Sequence, residues 1–119
     1  MRTIFAIAFI ISPTLTFASD WTGGDTASET TYLVLHTIDW GQTLYVVEHP
    51  DDYRETNGFL GNHPSRGKVN TWFIITGLLH VGAANWLSPT YRDAFQYITI
   101  GYQANNVSRN YSIDIKMEF

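Results

Sequence analysis

The chain has 119 residues and a mass of 13.5 kDa, room for a single domain with one core. With 45% hydrophobic, 15% aromatic and only 15% charged residues, the composition excludes long disordered tails. A net charge of −4 without any basic cluster argues against nucleic acid as a partner. The absence of cysteine excludes a disulfide framework, a thiol nucleophile and a zinc–cysteine site.

The chain opens Met1-Arg2-Thr3, continues with the apolar run Ile4 to Ile11, then Ser12-Pro13, and reaches Phe17-Ala18-Ser19. The order charged, apolar, small is that of a secretory signal peptide. Residues 1–18 are therefore expected to be a signal peptide cleaved after Ala18, and residues 19–119 a single helical domain. Pro13 interrupts the run short of the roughly 20 apolar residues a retained span would need.

Residues 20–29 are turn-rich and acidic, and Asp25 is the expected N-cap of a first helix beginning near Thr26. That helix is predicted to run to Glu48. Its apolar residues, Leu33, Leu35, Ile38, Leu44, Val46 and Val47, surround the helical circumference, so it is expected to be buried on most sides. Residues 48–68 hold Pro50, Gly58, Gly61, Pro64 and Gly67 and read as a turn-rich loop long enough to suggest function. No charge lies between Lys68 and Arg92, which makes 69–87 the second predicted helix and the strongest candidate for a membrane span. Ser88-Pro89-Thr90 breaks it, and a third helix is predicted over 91–108. From Tyr111 to Phe119 apolar residues alternate, the period of a half-buried strand.

The expected fold is thus mainly α: a three-helix bundle after an N-terminal signal peptide, with a short extended C-terminal segment. If the helices crossed a membrane, Arg54, Arg66, Lys68, Arg109 and Lys116 would lie inside and Arg92 outside, as the positive-inside rule requires. A mean hydropathy of −0.10 pulls the other way, toward a soluble periplasmic domain. The alternating C-terminus with its final Phe also resembles the closing strand of outer-membrane barrels, although no other segment alternates.

Polar residues fall on stripes: His36, Asp39 and Thr43 on the first helix, Thr76 and His80 on the second, and Gln96, Thr99, Gln103, Asn106 and Asn110 on the third. Polar groups in apolar helices must find partners, so these stripes are expected to face one another as a register-fixing network. A sharper possibility is that His36, Asp39 and His80 bind a divalent metal such as zinc or relay protons. In the loop, Glu55 and His63 offer an acid and a base, and Glu55, Asn57, His63 and Arg66, with Gln103 and Asn106 on the third helix, are the candidate binding residues. The simpler reading of the loop is that Ser65 caps the next helix and the glycines make turns. Gly61 to Lys68 has the wrong spacing for a phosphate loop, and no Gly-x-Ser-x-Gly elbow exists, which argues against nucleotide binding and serine hydrolysis.

Across Ile38 to Thr43, Glu55 to Ser65 and Asn110 to Ile113, the chain resembles small exported envelope proteins of proteobacteria and their phages. That group brings no assigned reaction or cofactor; the resemblance implies an envelope location, in the inner membrane or periplasm of a Gram-negative cell. The expectation is a non-enzymatic, membrane-associated accessory protein that binds a membrane partner or lipid. The alternatives are a small metal-dependent enzyme using the His/Asp cluster and a soluble periplasmic binding module.

Overall fold

Thr22 accepts a hydrogen bond from the Asp25 amide at 3.1 Å, while the Asp25 carboxylate accepts one from the Thr22 amide at 3.0 Å. This capping box satisfies two orphan donors and starts α1, Gly23–Glu48, three residues before the sequence places it. Asp25 is thus the third residue of the helix, not its cap. The computed structural model describes residues 20–119; the expected signal peptide and its cleavage point lie outside them. Ser65 accepts from the Lys68 amide and opens α2, Arg66–Trp86, as the turn reading of the loop anticipates. Pro89 occupies the first turn of α3, Pro89–Ser112, where its missing N–H costs no hydrogen bond.

The mainly helical bundle is therefore present, and no strand occurs among the described residues. The C-terminal alternation does not make one. Helix α3 runs through Tyr111 and Ser112, and ends in a Schellman motif. Asp114 takes the left-handed conformation at φ 65°, its amide donates to Tyr111 O, and the Ile115 amide donates to Asn110 O. Ile115 is then buried, whereas Tyr111, Ile113, Met117 and Phe119 stay exposed. The tail returns alongside α1, where the Glu118 amide donates to Gly41 O at 2.9 Å. Only a glycine admits that approach, because a Cβ at position 41 would come within 2.6 Å of the Phe119 ring.

Helix α1 is central and packs against both others, while α2 and α3 touch little. The apolar core is divided. Trp40, Leu44, Leu60, Val69 and Phe73 pack at the loop end, and Tyr32, Leu33 and Val81 form a smaller cluster. Each fully buried aliphatic side chain contributes about 1.5–3 kcal/mol. Between the clusters the interior is polar, as the facing stripes require.

The outside is correspondingly apolar in places. On α2, Ile75, Leu78 and Leu79 are exposed, with Trp86 at 86%, and on α3 so are Tyr97, Ile98 and Tyr102. Even so, no described helix is long and apolar enough to cross a membrane, which corrects the reading of 69–87 as a span. The polar residues that α2 needs for the bundle, among them Asn70, Thr76 and His80, dilute its hydropathy.

Candidate binding cleft

The polar interior is a ladder of hydrogen bonds running along α1. At its N-terminal end the Arg92 guanidinium, 0% exposed, donates to Asp25, Asp20, Ala84 O and Leu87 O, and lies 5.2 Å from the centre of the Trp21 ring. It joins the starts of α1 and α3 to the end of α2. Asp25, held by the Thr22 amide and by Arg92, has its pKa lowered. One turn on, Glu29 meets His80 Nδ1 at 2.6 Å and accepts from Gln96, while His80 Nε2 lies 2.7 Å from the Thr99 hydroxyl. The His80 ring stacks on Tyr32 at 3.4 Å.

The next rung is His36. Its Nε2 lies 2.9 Å from Phe73 O, and a carbonyl only accepts, so Nε2 carries the hydrogen. Burial lowers the pKa of this imidazole, opposed by the Phe73 bond, and the neutral ring leaves Nδ1 as an acceptor. Gln103 Nε2 donates to that nitrogen at 3.0 Å. The tautomer of His36 thereby fixes the amide of Gln103, and its Oε1 is turned away, buried and without a partner. At the far end Gln42 donates to Val107 O and accepts from Asn110.

Beside this ladder a cleft of about 990 Å³ opens between α1, α3, the start of α2 and the connecting loop. Its volume lies near the upper end of ordinary small-molecule sites, about 300–1,000 Å³. The loop is held over it by local bonds. Glu55 Oε1 accepts from the amides of Thr56 and Asn57, Asn57 Oδ1 accepts from the Phe59 amide, and Tyr53 donates to Ile113 O across the opening. Gly61 supplies the positive φ of 82° that turns the loop toward α2.

Two groups in the cleft lack partners. Gln103 is 5% exposed and carries the free Oε1 described above. Asp39, half-buried, receives no hydrogen bond on its carboxyl from any described residue; burial, reinforced by the charge of Glu55, pushes its pKa up to about 7. A polar group left buried and unpaired costs on the order of 1–3 kcal/mol, which applies to Gln103 Oε1, whereas Asp39 keeps part of its surface open to the cleft. Gln96 Oε1 and Trp21 Nε1 are also unpaired, but neither residue lines the cleft.

No family model, curated protein or solved structure matches the chain. Its site must be read from its own geometry.

Of the binding residues expected from the sequence, Glu55, Asn57, Gln103 and Asn106 come together in the cleft, joined by His36 and Asp39. Arg66 does not; it pairs with Glu48 at 2.9 Å on the surface. His63 is exposed in the loop and does not line the cleft, so no Glu55–His63 acid–base pair is assembled there. His36, Asp39 and His80 are not gathered as a metal-ligand set: His80 faces Glu29 and Thr99, and among the described residues no three His, Cys, Asp or Glu side chains converge to hold an ion. Sequence reasoning missed Asp25, Glu29 and Arg92. The signal was present, because Arg92, Gln96, Thr99 and Gln103 share one helical face, as do Glu29, His36 and Thr43. Extending the third-helix stripe by one turn reaches Arg92, and the first-helix stripe by two and three turns reaches Glu29 and Asp25.

Proposed function

We propose that this protein is a non-enzymatic, membrane-associated binding protein of the bacterial envelope, which holds the polar part of a lipid or other membrane ligand in the cleft. The observation that carries the reading is the pairing of unmet acceptors inside the cleft, Gln103 Oε1 and the Asp39 carboxyl, with an apolar exposed border. Phe59 is 78% exposed and Tyr102 68%, and Ile113 is exposed beside them. A wholly aqueous ligand needs no such border, and an amphiphile does. The exposed stripe on α2 supports the same placement, since aromatic and aliphatic side chains of this kind favour the membrane–water boundary. The signal-peptide pattern expected of residues 1–18 and the resemblance to exported envelope proteins agree with it.

The test is native mass spectrometry of the full chain purified from membranes in mild detergent, beside a Gly58→Trp variant. Gly58 lines the cleft, has negative φ, and a Cβ there meets nothing within 4 Å, so a bulky side chain is accommodated at the cleft wall without a clash at its Cβ. The wild type is expected to retain a lipid-sized adduct that the variant loses. Equal adducts on both, or none on either, would contradict the reading.

A further inference from the structure

We infer, on the basis of the binding reading above, that the cleft recognises an aminoethyl phosphate group, with its primary ammonium held between Asp39 and Gln103 and its phosphate at Arg54 and Arg109. The argument starts from what the cleft leaves unsatisfied. Gln103 Oε1 is buried without a partner, and the Asp39 carboxyl beside it in the lining receives no hydrogen bond from a described residue, so a ligand with N–H or O–H donors would satisfy both. Both Asp39 and Glu55 are carboxyl groups, and Glu55 has one oxygen fixed by the Thr56 and Asn57 amides, so its field adds to that of Asp39. No described cation pairs with either one. The favoured donor is therefore positive.

A purely cationic ligand would leave the opposite charge unmet. Arg54 on the loop and Arg109 near the end of α3 also line the cleft, and neither forms an ion pair with a described carboxylate. A guanidinium is suited to a phosphate, which it can grip through parallel N–H donors. The ligand that answers both signs carries both an ammonium and an anion. The apolar border at Phe59, Tyr102 and Ile113 then extends the ligand beyond the anion into apolar matter, which a free amino acid does not do and an aminophospholipid does. Gln103 and Asp39 also set a limit on the ammonium: a quaternary nitrogen has no hydrogen to give them, so a primary amine is selected over choline.

The experiment is calorimetric titration of the full chain in non-ionic detergent with O-phosphoethanolamine and, in parallel, phosphocholine. The first is expected to bind, and the second to bind about tenfold more weakly or less, as loss of charge-assisted hydrogen bonds implies. Asp39→Asn should weaken phosphoethanolamine binding by a similar factor, and Arg109→Gln, at an exposed position, by a few-fold. Vesicles of phosphatidylethanolamine in phosphatidylcholine, against phosphatidylcholine alone, separate the two sources of the group. Retention on the first vesicles assigns a lipid headgroup, and binding of the soluble compound alone assigns a free molecule; either supports the chemistry. Equal affinity for phosphocholine, or no binding of either compound, overturns it. If that failure comes while Gly58→Trp still removes an adduct, the cleft binds a membrane ligand of different chemistry; if no adduct depends on Gly58, the binding reading falls as well.

Discussion

Replacing Asp39 by Asn should make the protein more stable, and by an amount that depends on pH in a defined way. In the unfolded chain the carboxyl titrates near 3.8, and in the fold burial beside Glu55 raises it to about 7. A raised acid binds its proton more tightly when folded, so folding is favoured at low pH and loses stability as pH climbs from the unfolded to the folded value. Each unit of difference is worth about 1.4 kcal/mol. Over roughly three units the wild type therefore gives up about 4 kcal/mol that the uncharged Asn does not. Urea unfolding of both full-length proteins from pH 4 to pH 8 measures it. The two should agree within about 1 kcal/mol at pH 4 and diverge steadily to pH 7, with Asn the more stable and the gap constant above that. Other titrating groups are shared and cancel in the difference. A gap that stays flat across the range would refute the reasoning, because it would mean that Asp39 titrates alike in both states.

Arg92→Met should cost about 3–5 kcal/mol in denaturant unfolding, because Asp25 and two backbone carbonyls lose their buried donor; a loss below about 1 kcal/mol would show that the guanidinium is not the joint between the helices. His80→Leu should cost a similar amount by leaving Glu29 buried without its partner, and the companion Glu29→Gln, His80→Leu double variant should recover part of it in a double-mutant cycle. Gly41→Ala should lift the tail through its collision with Phe119, removing hydrogen-exchange protection at the Glu118 amide while lowering global stability by only about 1 kcal/mol. The wild type should lose stability below pH 6.5 through His36, whose buried ring resists the proton that the unfolded chain accepts, and His36→Gln should flatten that limb.

The helices were legible because their signals are local. Ser65, Pro89 and the uncharged stretch after Lys68 bracket α2 and α3 whatever the rest of the chain does. The start of α1 was misplaced because Thr22 and Asp25 are both good capping residues, and only the reciprocal bonds of the capping box decide between them. The tail was misread because alternation is a statement about two faces: Ile115 alone is buried, and the Schellman turn at Asp114 takes the preceding residues into a helix. The facing of the polar stripes followed from the cost of burying unpaired polar groups. Which rung each residue joins did not: His36 bonds Phe73 O and Gln103, and His80 meets Glu29 and Thr99. Gln103 could be nominated from its stripe, but its free oxygen is set by the tautomer of a histidine 67 positions away, which no local pattern encodes. The membrane span failed for a related reason: the residues that let α2 join the ladder are those that make it too polar to cross.

Asp39 connects the stability of the fold to its proposed task, since a half-buried carboxyl that no described residue hydrogen-bonds is tolerated where a ligand completes it. On this reading the cleft holds acceptors that a cationic donor completes. The most direct measurement is the titration of the Asp39 carboxyl carbon by nuclear magnetic resonance in the full chain, without and with saturating O-phosphoethanolamine. The account predicts a midpoint near 7 in the free protein and a fall of a unit or more, about 1.4 kcal/mol or above, when the ammonium arrives. A midpoint in the ordinary carboxylate range before ligand, or one that does not move on its addition, would contradict it.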